Sequence, residues 1–344
     1  MTDSRKKQLM WQLPLLLLLV AGTIIIVSLQ HQTPYQKNTG MVFGTVYNVT
    51  YQHPRDLQAD IEAELSKVDQ TFSMFNEQSL VAKVNSNSQP VELTTMFTEV
   101  YCLADSISRD TQGAFDITVG PLVNAWGFGF KNEQMPSSVQ IDSLLSFIGM
   151  DKLELSSDGK TLAKRDPRVT LDFSAIAKGY GSDVVARFLR SHGITNFMVE
   201  IGGEVVTSGI SPKRLPWRIG VTKPTDDSLS VGNELQTVLN VTDHAMATSG
   251  NYRNFYYKGG RKYAHTIDPH TGYPVQHSLL SATVLAPDCA RADAYATAFM
   301  VMGLEKAQAV LAHHPELMAY FILSDASGQL TVWFSPSLKD KIQK

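Results

Sequence analysis

The sequence is poor in cysteine, with Cys102 and Cys289 the only two in 344 residues. Two thiols can pair in an oxidising compartment, but they cannot form the disulfide framework on which small secreted folds rely. Neither follows the apolar run near the N-terminus, which excludes lipid attachment at that point. Excess positive charge is also missing. The formal charge is −3, and beyond residue 30 it is −5, with 27 basic against 32 acidic residues. Such a balance gives no general attraction for nucleic acid or an anionic membrane surface. No internal repeat is present, and 43% hydrophobic with 18% charged residues excludes a disordered or collagen-like chain.

One long hydrophobic run is present. Residues 13–29, LPLLLLLVAGTIIIVSL, follow the basic cluster Arg5, Lys6 and Lys7. As a helix the run reaches roughly 25 Å, and Leu9 to Gln12 can extend it toward the thickness of a bilayer core. The basic flank stays cytoplasmic. The pattern predicts, over 1–30, a basic tip and a single anchor in a bacterial inner membrane, or a signal segment cleaved to leave a periplasmic form. Ile26-Val27-Ser28 is a poor cleavage site and favours the anchor. Residues 31–39, rich in Gln, Asn, Thr and Pro, read as a tether, and 40–344 as the exported domain.

Within that domain, MVFGTVYNVTY at 41–51 has the β-branched and aromatic content of a strand. Asp56 can cap a helix whose stripe is Ile61, Leu65, Val68, Phe72 and Phe75, and a second helix is expected from Thr95 to Arg109. Residues 113–130, rich in Gly and aromatics, lack a period and read as packed loops. A short helix is expected at 141–148 and a hairpin around Ser157-Asp158-Gly159. A third major helix follows Asp172 and runs to Arg190. Strands are expected at 197–201, 205–208, 217–221 and 235–241, helices at 290–302 and 305–312, and closing strands at 318–323 and 330–334. The class is α+β, with helices packed on a mainly antiparallel sheet.

Candidate chemistry lies in four places. Asp293 and Thr297 are four apart on a helix, so they share a face and offer hard oxygen ligands suited to magnesium if phosphate oxygens and water complete the shell. The bland alternative is a carboxylate placed for the helix dipole. DFSAIAKGYGSD, from Asp172, offers Ser174 as a cap, small residues that permit close approach, and Lys178 as a cation; it is not a Walker loop. EIGGE, from Glu200, sets two carboxylates around two glycines at a strand end. In KYAHTIDPHTGYP, from Lys262, Tyr263, His265 and Ile267 alternate along a strand that ends at Asp268-Pro269, and His270 falls in an exposed turn.

Taken in order, several segments resemble the ApbE-type FAD:protein FMN transferases. They are Met41-Val42-Phe43-Gly44-Thr45, Leu171 to Gly181, Gly202-Gly203-Glu204, Thr248 to Tyr252, His265 to Pro274 and Ala292 to Thr297. Each is weak alone, and their order and spacing are specific together. Ser174 and Gly181 depart from the usual glycine and alanine, both small changes. The resemblance implies a magnesium-dependent transfer of FMN from FAD to Ser or Thr of a target protein, forming a phosphoester and releasing AMP. The implied targets are subunits of sodium-pumping quinone reductases or Rnf complexes, with a Ser/Thr-Gly-Ala-Thr motif. Asp293, Thr297 and the carbonyl of Ala175 are the implied metal ligands. Met41, Gly44, Thr45, Asp172, Ser174, Ala175, Lys178, Gly203, Glu204, Ser249, Gly250 and His265 are the implied nucleotide-site residues. His265 is the implied proton acceptor, with Asp268 serving the same site or orienting the strand end. An FAD pyrophosphatase or a noncatalytic flavin-binding protein are the alternatives.

Overall fold

The computed structural model describes residues 12–23, 33–88, 90–129, 135–224, 234–251, 255–258, 261–325 and 327–343. Helix α1 covers 12–23. Among the described residues no helix is long and apolar enough to cross a membrane. That finding corrects the expected inner-membrane anchor, and the membrane attachment and periplasmic placement built on it are withdrawn. The parts of the apolar run and basic tip at 1–11 and 24–32 lie outside the described residues.

The next segment differs from the sequence expectation. Residues 41–51 are not one strand: β1 (Tyr35–Val42) and β2 (Thr45–Gln52) form an antiparallel hairpin, so most of the supposed tether is strand. The turn falls at Phe43-Gly44, with φ of 52° and 73°; this left-handed pair suits a tight hairpin. The small hairpin β3 (Leu153–Leu155) and β4 (Leu162–Lys164) forms where expected. Next come β5 (Phe197–Ile201), β6 (Glu204–Ser208), β7 (Arg218–Thr222), β8 (Leu235–Asn240), β9 (Ala245–Gly250), β10 (Phe255–Lys258), β11 (Arg261–Ala264), β12 (Leu279–Ala286), β13 (Met318–Ser324) and β14 (Leu330–Phe334). The main sheet has eight strands in the order β1-β2-β5-β6-β9-β12-β13-β14 and is antiparallel throughout. Its centre contains β9 and β12, neither of which the sequence pattern predicted.

The helices are α2 (Gln58–Phe72), α3 (Leu80–Ser86), α4 (Thr95–Asp110), α5 (Gly120–Ala125), α6 (Ser138–Leu145), α7 (Ala177–Ser191), α8 (Cys289–Met302) and α9 (Leu304–His313). The α2 stripe is buried at Ile61, Leu65, Val68 and Phe72, while Phe75 lies past the helix end and is exposed. Alternation along the strands sorts the two faces of the sheet. Ala247, Val284, Ala319 and Phe321 join the core containing α8, whereas Met246, Leu285, Tyr320 and Ile322 pack with Val221 of β7 and Leu239 of β8 on the other side. Helix α8 is buried almost all round, and its alanines let it sit close to the sheet and to α7. Gly179 sets that approach: a Cβ there would lie 2.3 Å from the Cys289 carbonyl oxygen and 2.9 Å from Asp293 Cβ. A separate small core joins Leu122, Trp126, Ile141, Phe147, Ile148 and Ile267, which brings the 113–130 region against the turn after β11.

Candidate active site

The segment before α7 is a turn held by side chains. Asp172 Oδ1 accepts the Ser174 N–H at 2.8 Å and the Ser174 hydroxyl at 2.5 Å, an Asx turn. Ser174 therefore does not cap the helix as expected; α7 begins at Ala177 after Ile176, which makes no side-chain cap bond. The Asp172 N–H donates to the Ile117 carbonyl at 2.7 Å, tying this turn to the 113–119 loop. Asn85 braces it from behind, accepting from Leu171 N–H and donating to Leu171 O.

At the second residue of α7, Lys178 Nζ donates to Glu204 Oε1 at 2.5 Å. Glu204 opens β6 and is buried, and its second oxygen has no hydrogen-bond partner among the described residues. Across from it, Asp293 is also buried and accepts the Gly179 N–H at 3.1 Å. Two buried carboxylates thus share one ammonium. Burial pushes both carboxyl pKa values up, the Lys178 charge opposes that rise in each, and for Glu204 the nearby Asp293 adds to it. For Lys178, burial disfavours the charge, but Asp293 and Glu204 outweigh it and hold the ammonium above the ordinary lysine value. The cluster is short of positive charge in a cavity wall, an arrangement that a cation or an N–H or O–H donor would relieve.

The opposite wall comes from β9 and the turn after β11. Strand β11 stops at Ala264, so His265 lies just past its end, and an isolated bridge between Ile267 and Pro274 closes the turn. His265 is half-buried, with the Phe128 ring edge-on at 6.5 Å between centroids. Thr266 beside it is buried and donates to Asn251 Oδ1 at 2.5 Å. The Asp268 carboxylate works inside the turn, accepting the His270 N–H at 2.9 Å and the Thr271 hydroxyl at 3.1 Å.

These walls enclose a cavity of about 460 Å³. Of the residues singled out from sequence, Asp172, Ser174, Ala175, Lys178 and Glu204 line it from one side. Ser249, Gly250, His265, Asp293 and Thr297 line it as well. Met41, Gly44, Thr45, Gly203 and Asp268 do not line it. Met41 is 70% exposed on the first hairpin, beside the groove next to α2. Thr45 stands behind Gly202, where an added Cβ would lie 2.8 Å from its methyl, and the Gly203 N–H is spent on Glu200. Sequence reasoning missed the 113–119 loop, which contributes Phe115, Asp116 and Ile117. Asp116 accepts the Thr118 N–H and hydroxyl at 2.7 and 2.6 Å, and burial raises its pKa. The Asp-x-Thr spacing was the available signal.

The chain is similar to known proteins of one family. A model described as the ApbE family matches residues 43–321. The FAD:protein FMN transferase of Vibrio cholerae is 38% identical over 304 residues, covering 86% of this chain and 89% of that protein. The one of Haemophilus influenzae is 36% identical, covering 91% and 93%. Among solved structures, the flavin transferase ApbE from Vibrio cholerae superposes with a TM-score of 0.80 at 36% identity, over 90% of this chain and all of that one.

Proposed function

The chain belongs to the ApbE family and is an enzyme of the FAD:protein FMN transferase type, and from that premise we propose a magnesium-dependent transfer of FMN to a Ser or Thr hydroxyl of an acceptor protein, with AMP released, by the domain at 40–344. The observation that carries it is the convergence of Lys178, Glu204, Asp293, Thr297 and His265 on one cavity. An acceptor hydroxyl attacks the flavin-side phosphorus of FAD; the new phosphorus–oxygen bond forms as the bond to the bridging oxygen breaks, and that oxygen leaves with AMP. The hydroxyl proton passes to His265, an imidazole at the cavity wall.

Among the described residues no group of three or more His, Cys, Asp or Glu side chains could hold a metal ion. A hard cation nevertheless fits the donor set. Asp293 supplies a carboxylate, Thr297 a hydroxyl and Ala175 a carbonyl, all at the cavity, and diphosphate oxygens and water would complete the shell. Bound there, magnesium would neutralise charge building on the diphosphate. The chain's own contribution is to hold Asp293 with the Gly179 amide, to keep Lys178 charged between its two carboxylates, and to pack the nucleotide along the 172–178 turn.

Incubating the chain with FAD, magnesium and an acceptor bearing an exposed Ser/Thr-Gly-Ala-Thr stretch tests the reading by intact-protein mass spectrometry and AMP release. An acceptor mass gain equal to FMN with AMP in equal amount is expected. Free FMN and AMP with unmodified acceptor would make the enzyme a pyrophosphatase, and intact FAD would overturn the proposal.

A further inference from the structure

Helix α8 carries Asp293 and Thr297, yet its own start is fixed by a residue outside the cavity. Asp183 of α7 is buried, and its two oxygens accept the N–H groups of Cys289 at 2.8 Å and Ala290 at 2.9 Å. These are the first two amides of α8, which lack partners within the helix. Asp288 already serves as the ordinary N-cap, accepting the Arg291 N–H at 2.9 Å. The helix start is therefore held twice, once from its own chain and once from α7.

The second attachment is costly. Burial pushes the Asp183 carboxyl up to about 7, the two amides only partly opposing it, and no salt bridge to Asp183 is present among the described residues. A neutral cap would satisfy one amide at lower desolvation cost. What the carboxylate adds is two-point attachment in a set direction. Asp183 and Gly179 are four apart and share a face of α7. Asp183 grips the first amides of α8, and one turn further along the Gly179 N–H grips the Asp293 carboxylate. Ala175 lies just before the same helix. Sliding or tilting α8 against α7 would move Asp293 and Thr297 together, away from Ala175.

We infer that Asp183 is a positioning residue that fixes α8 on α7 and thereby sets the spacing of the Asp293, Thr297 and Ala175 oxygens that would hold the divalent cation. The inference rests on the metal reading given above. Because Asp183 does not line the cavity, its removal takes no contact from the nucleotide.

The test compares Asp183→Asn with Asp288→Ala, which removes the other cap of the same helix. Mn²⁺ affinity is measured by water-proton relaxation on the FAD complex of the full chain, alongside Tm and FAD binding without metal. Asp183→Asn is expected to weaken Mn²⁺ about ten-fold, the scale of losses seen when a residue behind metal ligands is changed, with metal-free FAD binding unchanged. Asp288→Ala should lower Tm and leave Mn²⁺ affinity at the parent value. Unchanged Mn²⁺ affinity in Asp183→Asn, or equal weakening in Asp288→Ala, would overturn the inference while leaving the metal reading intact. A parent complex that binds no Mn²⁺ would overturn both. If Asp183→Asn does not fold, Asp183→Glu keeps the charge and lengthens the attachment, and the same comparison applies.

Discussion

The two walls of the cavity are built differently. The wall of α7 and α8 is core: Asp293 and Glu204 are buried, and Gly179 lets the helices approach until an amide meets a carboxylate. The His265 wall is a turn beyond a two-stranded hairpin, half-buried and continuous with exposed residues such as His270. A diphosphate with its cation must find charges and dipoles already in place, because reorganising them during reaction would raise the barrier. A macromolecular hydroxyl must arrive from solvent, so its proton acceptor has to stand near the surface. The difference in burial matches the division the proposed reaction needs, with the inner wall assigned to the donor and the outer wall to the acceptor.

Single substitutions can break this division. Asp293→Ala strikes the inner wall, and transfer should fall on the order of 1000-fold, as expected when charge stabilisation at the diphosphate is lost; steady-state transfer rates across a magnesium titration check it, and a variant with the parent's rate and magnesium response would refute the role. His265→Ala strikes the outer wall. Transfer should fall about 100-fold, within the range for a lost general base, while FAD binding followed by flavin fluorescence stays within about two-fold. If His265→Ala instead loses FAD binding and transfer in parallel, the two walls do not divide the work.

Much of this arrangement was legible in the sequence, and the failures have physical causes. The α2 and α4 stripes were readable because each helix buries one face and leaves the other in water. Strands β9 and β12 were not, because they lie at the centre of the sheet; β12 is buried at nearly every position, which erases the two-residue alternation. The first five residues of β1, YQKNT, were read as a tether because they are polar, as suits an edge strand. At the site, Asp293 and Thr297 could be paired from helical spacing alone. The Lys178–Glu204 bond joins residues 26 apart through a helix and two strands, and no local pattern encodes it. Asp183 looked like any polar residue of an amphipathic helix, because what it grips lies 106 residues away.

The smallest predicted effect sharpens the comparison from the outer side of α8. Tyr295, on that helix, donates to Asp110 at 2.8 Å, and His314 sets Nε2 against Asp110 at 3.0 Å and Nδ1 against Glu316 at 2.9 Å. Burial disfavours the imidazolium, but the bonds to Glu316 and Asp110 outweigh it and raise the His314 pKa, with Arg291 the nearby opposing charge acting on Glu316 and Tyr295. A raised folded value means stabilisation that is full below the unfolded histidine value of about 6.5 and lost as pH rises through the folded one. About a quarter of the His314 side chain is exposed, 24%, so the effect is partly screened. His314→Gln should lower Tm by roughly 1–2 °C near pH 5.5 and by less above about pH 8, with transfer at neutral pH unchanged because the cluster does not line the cavity. Paired melting curves across that range decide it: a Tm difference that grows with pH would reverse the sign assigned to this cluster, and a change in transfer would mean that the outer side of α8 is coupled to the wall its inner side builds.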